Sequence, residues 1–230
     1  MDVEAKKPKC NYNLICYNLS EYWKSVVLED LDCDFLLEFQ NKLQNEISSK
    51  TVYPNREFFW RCLSKFDSVN NIDVVIVGQD PYHDGHAEGY CFETKKEPLP
   101  PSLRNIYKEI RDEFPDIDKQ PSLKKPGVLL LNRVLSVVSK KPASHAKLGW
   151  TKLTDNLIRK ISKECNNVVF ILWGNLAAKV YPLIDAKRHL ILMSNHPSPF
   201  SVSRFIGCNH FKITNEYLTK IGKKPIDWFN

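Results

Sequence analysis

Apolar positions along this chain change rhythm about a third of the way in. From Leu19 to about Phe66 they recur at helical spacing. Phe35, Leu36, Phe39 and Leu43 form one stripe, and Phe58, Phe59, Cys62 and Leu63 repeat it, as amphipathic helices packed on a core do. After that come four short runs that are apolar throughout: Val74 to Val77, Val128 to Leu131, Val168 to Leu172 and Leu190 to Met193. Such runs read as strands buried on both faces. Helical patterns separate them, one from about Ser102 through Ile106, Tyr107 and Ile110, another through Leu153, Leu157, Ile158 and Ile161. The alternation predicts a single α/β domain with a central parallel four-stranded β-sheet flanked by helices on both faces.

The first ten residues, rich in lysine and small side chains, read as a loose tail. We expect residues 1–18 to be an N-terminal tail, ordered in part at most, and 19–230 to be one catalytic domain; no repeat or Gly/Ser linker divides the remainder. At 230 residues such a domain buries roughly 70–75% of its unfolded surface and needs no staple. The balance of 33 Lys and Arg against 27 Asp and Glu gives a net charge of +6, which suits a polyanionic partner without requiring one. The apolar runs are too short to cross a bilayer, and the charged N-terminus lacks the apolar core of a secretory signal. Seven scattered cysteines (Cys10, Cys16, Cys33, Cys62, Cys91, Cys165, Cys208), with no C-x-x-C pair, favour a reduced compartment and argue against a zinc site built from them.

Ligands of parallel α/β sheets bind beyond the carboxyl ends of the strands. After the first run stand Gly78-Gln79-Asp80-Pro81-Tyr82-His83, after the second Asn132, after the third Trp173-Gly174-Asn175, and after the fourth Ser194-Asn195-His196-Pro197-Ser198-Pro199. One rim thus receives an acid, amides, an imidazole and small hydroxyl or glycine positions. Singly, Asp80 reads as a turn residue and His196 as a surface histidine; together they predict a functional site. His196 and Ser198 precede prolines, which hold both extended. Pro98-Leu99-Pro100-Pro101 is equally stiff and leaves Ser102 placed to cap the next helix or to meet a phosphate there. Asp80, His83, Asp84, His86 and Glu88 are dense enough to raise a metal site. Pro81 and Gly85 nonetheless describe a turning loop, and the H-E-x-x-H spacing is absent.

These segments resemble the family 1 uracil-DNA glycosylases. The match rests on Gly78-Gln79-Asp80-Pro81-Tyr82-His83, Gly127 to Asn132, and His196-Pro197-Ser198-Pro199. It extends through Pro100 to Glu109, Ser144-His145, Gly149-Trp150, Gly207-Cys208 with His210-Phe211, and Lys223 to Trp228, covering roughly Tyr53 to Trp228. The resemblance implies a monofunctional, cofactor-free hydrolase, with no metal, that flips uracil out of single- or double-stranded DNA, cuts its N-glycosidic bond and leaves an abasic site for base-excision repair. Asp80 would orient water and face the sugar cation, while a neutral His196 would donate to uracil O2. Asn132 would read the base edge, Phe92 would stack on it, Tyr82 would exclude a thymine methyl, and backbone near Gln79 would assist at O2. DNA contacts would come from Pro100, Pro101, Ser102, Gly174, Asn175, Pro197, Ser198, Phe200, Ser201 and Arg204. The resemblance further implies a monomer that is not on a membrane, and as partner a uracil-DNA glycosylase inhibitor protein. The implied location is intracellular: nuclear in a eukaryote, host nucleus or cytoplasm for a virus, cytoplasmic otherwise.

The chain departs from the family pattern at Phe200, a wedge position usually held by leucine, at Asn175, where serine is usual, and at Arg133, where a small residue is usual. The segments Ser201 to Gly207 and Tyr82 to Phe92 are each one residue short.

Overall fold

The computed structural model describes residues 12–230; the first eleven, which include most of the expected tail and Cys10, lie outside the described residues. In chain order the elements are α1 (Glu21–Val27), α2 (Cys33–Ser49), β1 (Val52–Tyr53), β2 (Val74–Gly78), α3 (Pro101–Glu113), β3 (Val128–Asn132), β4 (Val137–Val138), α4 (Trp150–Glu164), β5 (Val169–Trp173), α5 (Asn175–Ala178), β6 (Leu190–Ser194) and α6 (His210–Lys220). The four apolar runs form one sheet in the order β3-β2-β5-β6, with every pair parallel. Because side chains alternate along a strand, each run feeds two cores. Val75, Val77, Leu129, Leu131, Phe170 and Leu172 pack with α1, α2 and α4. Val74, Ile76, Leu130, Val169, Ile171 and Trp173 pack with α3 and α6.

Local chemistry starts the first helices: the Ser20 hydroxyl accepts from the Trp23 N–H at 3.3 Å, and the Asp32 carboxylate from that of Phe35 at 2.7 Å, caps worth ~1 kcal/mol each. Two expectations need correction, the helix at Phe58 to Leu63 and the burial of β6. The stripe at Phe58 to Leu63 is not an α-helix but two 3₁₀ turns, at 56–58 and 61–63; Phe59 and Leu63 are buried all the same, so burial alone produced the periodicity. Within the tail expected to be ordered in part at most, Ile15 and Cys16 are buried and the Ile15 carbonyl accepts from the Trp60 indole N–H at 2.7 Å. β6, read as buried on both faces, is an edge strand whose Met193 is half exposed. Cys33 is disulfide-bonded, while Cys16, Cys62, Cys91, Cys165 and Cys208 are free.

A short antiparallel pair, β1 with β4, was not foreseen. It holds the strap that follows β4 against the loop that follows β2: the Ser139 N–H donates to Thr51 O, and that of Lys140 to His83 O, each at 2.8 Å. No helix among the described residues is long and apolar enough to cross a membrane.

Candidate active site

Parallel strands carry their carboxyl ends to one edge, and there Gln79, Asp80, Pro81, Tyr82, His83, Tyr90, Phe92, Asn132 and His196 line one cavity of about 160 Å³. A drug-sized ligand takes ~300–1,000 Å³, so this cavity suits a single small ring. A larger hollow of about 500 Å³, around Glu93, Lys95 and Lys124, shares none of these groups.

Two glycines make the approach of the polar groups possible. Gly78 lies beside Asn132 in register, and a Cβ on it would come within 2.3 Å of the Asn132 Oδ1. Gly174 has φ of +88° and faces His196, whose Cβ a side chain there would meet at 2.9 Å. Phe92 sits with φ of +54°, a costly backbone for an aromatic residue and of the kind that gathers at functional sites. Its ring is 5.5 Å from the Trp173 ring and 5.5 Å from that of His196.

The His196 Nδ1 accepts the Ser198 N–H at 3.0 Å. An accepting Nδ1 carries no proton, so the proton of the neutral ring sits on Nε2 and can be donated. Burial also holds the pKa of His196 below its usual value, since desolvation disfavours the cation. Asp80 is half-buried, and burial raises its carboxyl above the usual range; the Ala143 N–H and nearby His83 oppose that shift. The Ala143 bond to Asp80 Oδ2 is 2.7 Å, and Ala143 itself has φ of +59°. A backbone donor on the strap therefore orients the acid. The strap rests on a buried relay in which Ser136 Oγ meets His145 Nδ1 and the Trp150 indole N–H, each at 2.7 Å.

Around the cavity mouth lie the residues expected to touch DNA. Ser102 is not a helix cap. Pro100 holds that position and Pro101 is the first helical residue, where a missing N–H costs nothing. The Ser102 hydroxyl instead meets the Tyr82 hydroxyl at 3.3 Å. Across the mouth, the Ser198 and Ser201 hydroxyls are 3.2 Å apart, and Ser201 donates to His196 O at 2.6 Å. Asn175, beside Gly174, and Arg204 are exposed, while Pro100 and Pro197 are buried. Phe200 is fully exposed, at 101%, so it does not fold back onto Phe205 or Ile206.

Arg133 is held in a two-pronged ion pair with Asp155 at 2.8–3.2 Å. The acidic and histidine cluster after Asp80 is engaged locally: His86 pairs with Asp84 at 2.8 Å, and the Glu88 carboxylate accepts from the Lys95 N–H at 3.0 Å. Sequence reasoning missed Ala143 and Tyr90. Ala143 acts through its backbone, which no side-chain pattern reports; Tyr90 lies two residues before Phe92, inside a segment whose turn geometry no motif revealed.

The chain matches the family model described as the uracil DNA glycosylase superfamily over residues 65–219. The uracil-DNA glycosylase of Buchnera aphidicola subsp. Cinara cedri is 43% identical over 215 residues, covering 90% of this chain and 94% of that protein. The one from Campylobacter lari is 40% identical over 217 residues, covering 91% and 94%. Among solved structures, mimivirus uracil-DNA glycosylase superposes with a TM-score of 0.80 at 27% identity, covering 90% of this chain and 84% of that one. A variant of mimivirus UNG in complex with UGI gives a TM-score of 0.84 at 26% identity, covering 95% and 90%.

Proposed function

The chain belongs to the uracil DNA glycosylase superfamily and acts as a uracil-DNA glycosylase, and we propose that Asp80 and His196 carry its chemistry, with Asn132, Tyr82, Phe92 and Gln79 selecting the base. The observation that carries this reading is the fixed tautomer of His196, whose Nδ1 is occupied by the Ser198 N–H while the ring lines the same small cavity as Asp80 and Asn132.

Uracil enters the cavity after flipping out of the stack, since its glycosidic bond cannot be reached inside a duplex. Phe92 stacks on the ring. The Asn132 amide accepts from N3–H and donates to O4, a pattern that cytosine inverts, and Tyr82 fills the space of a thymine methyl. The bond between the sugar C1′ and uracil N1 breaks with its electron pair moving to uracil. His196 Nε2–H donates to the charge gathering on O2, with backbone N–H near Gln79 assisting, while Asp80 faces the cationic sugar. Asp80 orients a water molecule that bonds to C1′ and gives up its proton, and solvent returns a proton to the departing base. Burial favours the neutral donor His196, and the Ala143 N–H helps keep Asp80 ionised.

At the mouth, Ser102, Ser198, Ser201 and the Gly174 loop with Asn175 and Arg204 grip the backbone, and Phe200 fills the gap left by the flipped nucleotide. The exposed ring supports that role. An inhibitor protein of the UGI kind is a proposed partner, a reading supported by the mimivirus complex.

The test is release of free uracil from an oligonucleotide holding one uracil, with chelator present and with thymine and cytosine oligonucleotides alongside. Release from the uracil strand alone is expected. A chelator-sensitive reaction, or release of the other pyrimidines, would replace this assignment.

A further inference from the structure

α3 spans Pro101–Glu113, and one side chain per turn reaches across to the segment that carries Phe200. Residues four apart stack on one helix face, ~6 Å along the axis. The Asn105 amide donates to Pro197 O at 2.8 Å. One turn on, Glu109 accepts from the Gly207 N–H at 2.7 Å through one oxygen and from the Asn209 N–H at 3.0 Å through the other. A further turn on, Glu113 accepts from the Lys212 N–H at 2.6 Å, at the start of α6. Both ends of the segment from Ser198 to Ile206 are thus tied to a single rigid helix. Between the ties, Phe205 is buried edge-on against Trp173, with ring centres 5.2 Å apart. Phe200 and Arg204 project outward.

Glu109 is 1% exposed and its acceptor oxygens meet backbone N–H groups. A buried carboxylate is costly unless hydrogen bonds satisfy it, and here both oxygens are matched to two donors of one turn. That turn is in the left-handed region at both donors, with φ of +83° at Gly207 and +57° at Asn209. The Glu109, Glu113 and Cys208 ligand atoms lie within 4.8 Å of one another, and the Glu109 and Glu113 oxygens are taken up by this anchoring.

We propose that Glu109 is a positioning residue for the reaction on duplex DNA: by fixing the C-terminal end of the loop it sets the reach and direction of Phe200. The proposal rests on the reading of Phe200 as the wedge. Single-stranded DNA has no stack to open, so the clamp acts on duplex substrate.

Glu109→Gln keeps the shape but sets an NH₂ group against one of the two backbone donors. On matched substrates, its kcat/KM for duplex uracil DNA should fall about tenfold while that for single strands changes less than about threefold. The Gly207 and Asn209 amides should exchange hydrogen faster. Added to Phe200→Ala, it should cost less than about a further twofold on duplex, because the two act as a unit. Equal losses on both substrates, no loss on either, or full additivity with Phe200→Ala would overturn the clamp. Phe200→Ala with no duplex-specific loss would instead reject the wedge, a different result read from a different protein. If thermal unfolding shows that Glu109→Gln does not fold, Glu109→Asp, one methylene shorter with its charge kept, takes the same measurements under the same criteria.

Discussion

The base cavity and the loop beyond it differ in how much of their chemistry the protein completes by itself. In the cavity each key group is already held. Asn132 stands at a strand end against Gly78, His196 has its Nδ1 occupied, Asp80 has an oxygen on the Ala143 N–H, and Phe92 is buried between Trp173 and His196. In the loop the anchors are equally firm, through Glu109 and Phe205, but Phe200 projects into solvent. An unpaired aromatic ring on a fixed base implies a partner that arrives from outside. On the proposed roles, the difference teaches that the chemistry is preorganised on the strand ends, whereas duplex recognition waits for DNA.

The largest effect should come from the cavity. On its proposed role, Asp80→Asn removes the charge that would face the sugar, and turnover should fall by about a hundredfold or more, ~3 kcal/mol of barrier, with DNA affinity retained. Turnover within about threefold of the parent would remove Asp80 from the mechanism.

The pH profile sharpens the same point. As pH falls, both groups move toward the wrong form: Asp80, whose pKa is raised by burial, to the acid, and His196, whose pKa is lowered by burial, to the imidazolium. Turnover should therefore drop on the acid side, by up to about tenfold per pH unit for a single protonation, and stay level from pH 7 to 8. A rate that climbs below neutrality would mean that His196 works as a cation.

At the loop the expected loss is smaller and selective. Base stacking on an aromatic ring is worth ~1–3 kcal/mol, so Phe200→Ala should lower duplex turnover about tenfold or more. Smallest in rate are two gains of function. Tyr82→Ala should begin to release thymine, because on the proposed reading bulk alone excludes its methyl, and Asn132→Asp should begin to release cytosine. Uracil cutting without either gain would show that the cavity is read by other groups.

Much of this was legible in the sequence because strands buried on both faces leave a plain signature. The four apolar runs gave the sheet, and reading past each run gave Asp80, Asn132, Gly174 and His196. The edge position of β6 was hidden, since sheet order is a long-range property. At Phe58 to Leu63, apolar periodicity could not separate an α-helix from consecutive 3₁₀ turns. Ser102 has the chemistry of a cap, but Pro101 before it already fits the first helical position. Arg133 looked like a change in DNA grip because the charge was visible and its partner Asp155, 22 residues on, was not. Ala143 and Glu109 were illegible for a shared reason: each works through backbone N–H groups whose direction depends on tertiary contacts.

The measurement that bears most directly on the division between cavity and loop is the ratio of duplex to single-strand turnover in Asp80→Asn and Phe200→Ala, on the same uracil sequence. Asp80→Asn should lose equally on both substrates and leave the ratio at its parental value, because the chemistry is identical once uracil is flipped. Phe200→Ala should lower the ratio about tenfold. Ratios that change alike in the two variants would contradict the division, since cavity and loop would then act in one step on both kinds of DNA.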